Sequence, residues 1–477
     1  MRTDQKLAVF QFRNSSQWKS IRWFALATTV FIFFMMLSST TGVWNNLFHT
    51  TKHYVHAATG TNTPRVNAPF FNSPVPFNQT AIFWFGDVTS TDTYTDVRVG
   101  YNSQELYIDL QTVDRYLWYD TNTKSPNVNV GDNASVYISV ANNTYKFQAA
   151  VNGYTKRSNY QQAYVANGNA WTATKVPFGA FFSWRGHGFN GPEDRGWSME
   201  YHIPFSSLGV STPSKGTVWK LAVKVHNQDN AANSPSHDKW WPVSASETNP
   251  SGWGDLAFGI PTYQSPSTQN QSTFTIRNGL NNQVVNDAMV GGSLGCGNNV
   301  SNVWTQLENT SYPGANHVNI QNEGDVSDWN CFSKFYITFP LSSLPHGQSL
   351  INAKVTLYEY GNSGSLGKPN PSYIQVAVVN QDWSPSTLTW NNAPLVQENI
   401  NSIRVNTIPK PSIPWPGMAV TWDVSSAAAA AYAAGQPLRL VFYSTDNQYN
   451  TGKYFTSSSV GNWDANGRPT LQMTLGA

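Results

Sequence analysis

Hydrophobic positions recur with a period of two along nearly the whole chain. In Glu105–Leu110, Leu106, Ile108 and Leu110 share one face. In Val218–His226, Trp219, Leu221, Val223 and Val225 point one way, and Lys220, Lys224 and His226 the other. Lys334–Phe339, Tyr373–Val378 and Leu438–Phe442 alternate in the same manner. Such alternation predicts half-buried strands. Asn152-Gly153 and the Gly361–Gly367 cluster supply turns between them. The strands do not alternate with helical patterns of about 10–15 residues, which argues against a parallel α/β sheet. The alanine run from Ser425 to Ala434 predicts one short helix, stopped by Gly435. The expected fold class is all-β: two antiparallel, jelly-roll-like β-sandwich domains in tandem.

The segment Tyr263–Thr273 (YQSPSTQNQST) has neither aliphatic nor charged residues and reads as a linker. It separates a module over 66–262 from one over 274–477, with residues 44–65 as a polar stalk. Residues 1–43 read as a signal peptide or signal anchor. Arg2, Lys6, Arg13, Lys19 and Arg22 precede an apolar run from Trp23 to Leu37. Extended to Val43, the run is long enough to cross a bilayer; cleaved, its best processing site is Val55-His56-Ala57. Either outcome places the body outside the cytoplasm, and any membrane contact would come only through this segment.

Charged residues make up 12% of the 477 residues and aromatic residues 14%, against about 25% charged in ordinary globular chains. That balance opposes disorder and nucleic-acid binding, which needs a stripe of Lys and Arg. The formal charge of +2 belongs to the N-terminus. Without residues 1–57 the count is 23 basic to 26 acidic. The two cysteines, Cys296 and Cys331, read as one disulfide in an oxidising compartment, with two unpaired thiols as the other reading. Their spacing, without nearby His pairs, suits zinc poorly.

Two stretches carry family resemblance. The first includes Val97–Asp109, Val113-Asp114, Gly131–Ile138, Gly216–Trp219 and the string Trp197-Ser-Met-Glu-Tyr-His-Ile-Pro-Phe-Ser-Ser-Leu-Gly209. It resembles carbohydrate-binding family 9-like domains. The second includes Phe335–Pro345, Ile351–Tyr358, Trp383–Pro394, Asp423–Ser425 and Arg468–Leu471. It is similar to DNRLRE-type domains, also grouped as carbohydrate-binding family 96, although its first strand reads Asn286-Asp-Ala-Met-Val290 instead of the family's name string. Both resemblances imply β-sandwiches that hold polysaccharide.

Catalytic patterns are thin. Gly291-Gly-Ser-Leu-Gly295 has the spacing of a nucleophile elbow, but a loop follows it where a helix is required. A carboxylate pair could be assembled from Glu193, Asp194, Glu200 or Asp255, but Glu200, between Met199 and Tyr201 on the polar face of its strand, reads as a solvated residue. Asn227–Asn230 and Asn322–Asp328 offer oxygen ligands without EF-hand spacing. No cofactor is expected beyond calcium as a structural ion, and whether a metal binds is left open. Sugar rings stack on Trp and Tyr, so binding is expected on Trp118, Trp171, Trp184 and Trp240, with Arg98 beside them, outward between Val97 and Val99. The function expected is polysaccharide or glycan binding by two non-catalytic modules. A polysaccharide hydrolase or lyase, or a structural cell-surface protein, are the alternatives.

Overall fold

A computed structural model of the chain describes residues 63–122, 127–151, 160–186, 191–192, 194–230, 237–292, 310–323, 331–364, 368–408 and 413–477. These all belong to one compact unit, Tyr54–Ala477. The expected signal or anchor segment, 1–43, and Cys296 lie outside the described residues.

The all-β expectation holds. In the first half, strands Gly179–Gly186, Asp194–Pro204, Glu105–Val113, Tyr94–Tyr101 and Ala81–Gly86 form a five-stranded antiparallel sheet. The facing sheet runs through strands Ala170–Thr174, Gln161–Asn167, Asn143–Ala150, Asn133–Val140 and Val218–His226. Strands Lys239–Trp241 and Gly254–Phe258 also pair with Val218–His226, and strand Arg65–Ala68 joins Gly254–Phe258 in parallel. The alternation explains the layers: Leu106, Ile108, Leu110, Leu221, Val223 and Val225 are buried in one core. Lys220, Lys224 and His226 stay part-exposed on the opposite face.

The second half is again two packed sheets. One contains strands Asn286–Gly291, Cys331–Phe339, Leu438–Ser444, Ser372–Val378 and Glu398–Val405. The other contains Ser272–Arg277, Thr470–Gly476, Ser349–Asn362, Met418–Asp423 and Lys453–Thr456. Strand His317–Glu323 edges both. The helix spans Ser425–Ala433, and Gly435 at φ 63° ends it in the left-handed region that glycine tolerates.

The halves meet over a broad buried face. The core of the first sandwich takes in Val290, Phe332, Tyr336, Trp390, Val441 and Tyr443 from the second. Amide side chains extend the backbone ladders across it. The Ile82 N–H donates to Gln375 Oε1 at 2.9 Å, and Gln375 Nε2 donates back to the Ile82 carbonyl at 2.7 Å. Asn67 and Asn399 make the same reciprocal exchange at 2.7 and 3.0 Å. Within 263–273, the Tyr263 hydroxyl donates to the Leu350 carbonyl at 2.7 Å, and strand Ser272–Arg277 begins.

Arg98 corrects the sequence reading. It alternates away from the core of its own sandwich, but that face meets the second half instead of water. Its side chain is 0% exposed, with Nε donating to the Thr445 carbonyl at 3.0 Å and the guanidinium 4.3 Å from the centre of the Phe77 ring. Period two identifies which faces alternate; it does not identify what covers them.

Candidate functional site

On the outer face of the larger sheet, strand register lines up one row of side chains. Trp240 lies opposite Lys224, and Ala222, on the same face as Lys224, lies opposite Tyr137. Tyr137 lies opposite Lys146, and Lys146 opposite Tyr164. Trp171 comes from the next strand, two positions from Ala173, the partner of Tyr164. The small Ala222 leaves room above the sheet, and the aromatic rings close over it.

Tyr137 is the floor. Its ring centre lies 5.7 Å from Trp171, 5.3 Å from Trp240 and 5.5 Å from Trp253. Trp253 is buried, with its indole N–H donating to the Ser246 carbonyl at 2.7 Å. Trp171 and Trp240 are part-exposed and form the rim. The Trp171 indole nitrogen is buried and has no hydrogen-bond partner among the described residues.

Charged groups thread between the rings. Lys146 Nζ lies 5.8 Å from the Tyr137 ring and 5.2 Å from that of Tyr164. Lys224 Nζ lies 5.5 Å from Trp240, 2.8 Å from Asp238 and 3.4 Å from Glu247. Glu247 accepts from the Tyr137 hydroxyl at 2.9 Å and pairs with Lys146 at 3.7 Å. His226 Nδ1 lies 2.6 Å from Asp238.

These contacts set the protonation states. Burial alone would raise Asp238, but hydrogen bonds from His226 and Lys224 outweigh it and hold the carboxyl at about 2. Burial is likewise outweighed at Glu247 by Lys146, the Tyr137 hydroxyl and Lys224, leaving it below the ordinary value. Burial lowers the Lys146 amine against the pull of Glu247. The rim therefore carries ionised carboxylates as fixed acceptors. The carboxyls raised to about 7, namely Asp109, Asp114 and Asp287, are buried elsewhere.

Of the residues expected from sequence, Trp171 and Trp240 come together here. Both sit on strands, Ala170–Thr174 and Lys239–Trp241. Trp184 stands on the other sheet, in strand Gly179–Gly186, and is 48% exposed beside Phe182. Trp118 follows the short strand Tyr116–Leu117, its backbone N–H donating to Asp132 Oδ2 at 2.6 Å. Cys331 opens its strand. Glu200 is drawn into a chain with His202 and Glu105, at 2.5 and 2.8 Å from the two ring nitrogens. Among the described residues, no group of three or more His, Cys, Asp or Glu is placed to hold a metal. Sequence reasoning missed Tyr137, Tyr164, Lys146, Asp238 and Glu247. A signal for Tyr137 existed: Val136 and Ile138 face the core, so Tyr137 shares the outer face with Ser135 and Ser139.

Residues 300–474 match carbohydrate-binding module family 96. No curated protein matches the chain. Among solved structures, the chain is similar to a protein of Bacteroides uniformis described as a candidate carbohydrate-binding protein. The identity is 14%, covering 41% of this chain and 99% of that one, with a TM-score of 0.32. It is also similar to a carbohydrate-binding module of family 9 from Caldicellulosiruptor kristjanssonii in complex with cellotriose, at 14% identity, covering 43% and 99%, with a TM-score of 0.26. The same kind of module from that organism in complex with glucose gives 16% identity, 43% and 100% coverage and a TM-score of 0.24.

Proposed function

We propose that this chain is an extracytoplasmic glycan-binding protein that captures sugar on the Tyr137 row without turning it over. The observation that carries the reading is the row itself: two part-exposed indoles flank fixed acceptors and donors on one sheet face. Sugar C–H faces would stack on Trp171 and Trp240, and ring hydroxyls would meet Lys146, Lys224, Asp238 and Glu247. The family 96 match over residues 300–474 supports carbohydrate as the ligand class. Glycoside hydrolysis needs a carboxyl that keeps its proton near neutral pH. Asp238 and Glu247 are held the other way, which favours binding over hydrolysis.

The same reading puts the body outside the cytoplasm, secreted or anchored through the N-terminal segment, with no nucleic-acid partner. Cys296 and Cys331 would then be oxidised, and thiol labelling of the denatured, non-reduced protein should find no free thiol. Calcium, if bound, would be structural. The main test is affinity electrophoresis in a panel of soluble glycans. The protein should be retarded by at least one of them, and Trp171→Ala and Trp240→Ala should each weaken that retardation. Release of reducing sugar by the parent protein would overturn the non-catalytic reading.

A further inference from the structure

We propose that the second sandwich carries a separate glycan platform, formed by Tyr360, Trp415 and Trp463, that takes the apolar face of a neutral pyranose chain. This rests on the reading of the protein as a glycan binder, but shares no residue with the Tyr137 row.

Trp463 is 68% exposed and Trp415 53% exposed, high values for the largest apolar side chain. Their ring centres lie 5.1 Å apart at 90°, so one indole stands as a wall against the other. Trp415 in turn stacks on Tyr360 at 5.5 Å and 29°. The aromatic surface continues from Tyr360 to Tyr454 at 6.3 Å and to His317 at 6.2 Å.

Local sequence explains why these rings face out and stay in place. In strand Ser349–Asn362, Val355, Leu357 and Glu359 are buried, which turns Tyr358 and Tyr360 outward. In strand Lys453–Thr456, buried Lys453 and Phe455 flank Tyr454 and turn it to the same side. Two glycines seat the rings. Gly361 lies opposite Tyr454, and a Cβ there would come 3.0 Å from the Tyr454 ring. A Cβ on Gly461 would come 2.8 Å from both Cδ1 and Nε1 of Trp463. The indole of Trp463 therefore lies against bare backbone. A surface organised before its ligand arrives loses less conformational freedom on binding.

The chemistry of the corner selects the occupant. A pair of touching, mostly exposed tryptophans marks a binding surface rather than a packing remnant. A stable protein interface needs an area of about 800 Å² on each partner, well beyond a corner of three rings. The carboxylates next to the rings in sequence face inward: Glu359 is fully buried, and Asp464 is buried beneath Gly467. Arg468 is turned in as well, its Nη2 donating to Asn462 Oδ1 at 2.8 Å. The corner thus offers the exposed faces of Trp415 and Trp463 beside part-buried Tyr360. That set suits a neutral sugar, whose C–H face stacks while its hydroxyls reach the rim. All of these residues lie within 300–474, the stretch matching the carbohydrate-binding family.

The test is titration calorimetry of the purified chain with hydroxyethylcellulose, laminarin and galactomannan, and with polygalacturonate as an acidic counterpart. The parent should bind at least one neutral polysaccharide. Trp463→Ala should weaken that binding about tenfold, and Trp463→Phe, which keeps a ring, should recover part of it. Because Trp463 is so exposed, its melting temperature should match the parent's; Trp415→Ala is the second, independent variant. If the parent binds and both alanine variants bind equally well, the platform is overturned while the glycan-binding reading stands. If the variants lose only polygalacturonate binding, the assignment to neutral sugar is overturned. A parent that binds none of the four overturns both.

Discussion

Two lysine–aromatic assemblies in this molecule share their chemistry and differ in what covers them. In the Tyr137 row, Lys146 and Lys224 sit beside Tyr137, Tyr164 and Trp240 on a part-open sheet face. Between the halves, Lys334 is enclosed. Its Nζ lies 3.6 Å from the Trp390 ring centre, 4.1 Å from Trp84, 4.5 Å from Tyr94 and 4.9 Å from Tyr443. The amine donates to the Tyr94 hydroxyl at 2.6 Å, which donates to Asp96 at 2.6 Å. Tyr443 and Asn322 also donate to Asp96, at 3.0 and 2.9 Å. Burial pushes the Lys334 amine well below its ordinary value, against the pull of Asp96. The enclosed amine packs against four rings and donates into the Asp96 network, so this version serves cohesion. The other version keeps Tyr164, Trp171, Lys224 and Trp240 part-exposed, where they can meet a ligand. Accessibility, and not residue type, separates the structural assembly from the one proposed to bind glycan.

The comparison breaks most readily at Asp96. Asp96→Ala leaves the hydroxyls of Tyr94 and Tyr443 without their carboxylate acceptor, and Asn322 with only the Ser444 carbonyl at 3.3 Å, in a buried interface. A loss of about 3–5 kcal/mol is expected, read by denaturant unfolding, and a loss under about 1 kcal/mol would show that the network contributes little. The interface should also outlast its covalent connection. A protease site placed at Ser267, once cut, should leave two fragments that co-elute in gel filtration, whereas separate elution would show that the buried face does not hold the halves together.

Effects in the open row should fall on binding instead of stability. Trp171→Ala and Trp240→Ala should each weaken glycan binding by about 1–2 kcal/mol and shift denaturant midpoints far less than Asp96→Ala does. Equal loss of stability in both places would erase the distinction.

The smallest effect expected is a pH dependence on the outer face of the five-stranded sheet. Burial would lower His202, but its hydrogen bonds to Glu105 and Glu200 outweigh burial and raise it to about 9. The folded value exceeds the unfolded value of about 6.5, so its contribution is complete below that pH and is lost as pH rises through about 9. The melting temperature of the parent minus that of His202→Gln should therefore shrink between those limits. The change is expected to be small, because both partners are part-exposed and screened by solvent.

The strands were legible because burial on one side writes itself into every second residue. Leu106, Ile108, Leu110, Leu221, Val223 and Val225 all turned inward as the alternation required, and Gly435 stopped the helix where the alanine run ended. Trp171 and Trp240 were legible as binding candidates by residue type. Their meeting over Tyr137 was not, because it depends on register across several strands that are distant in sequence. Arg98 shows the same limit from the other side. Alternation turned it away from its own core, and only the packing of the second sandwich decided that it would be buried. A local pattern reports the face a side chain takes, whereas its neighbours and its access to water come from non-local contacts that no local pattern contains.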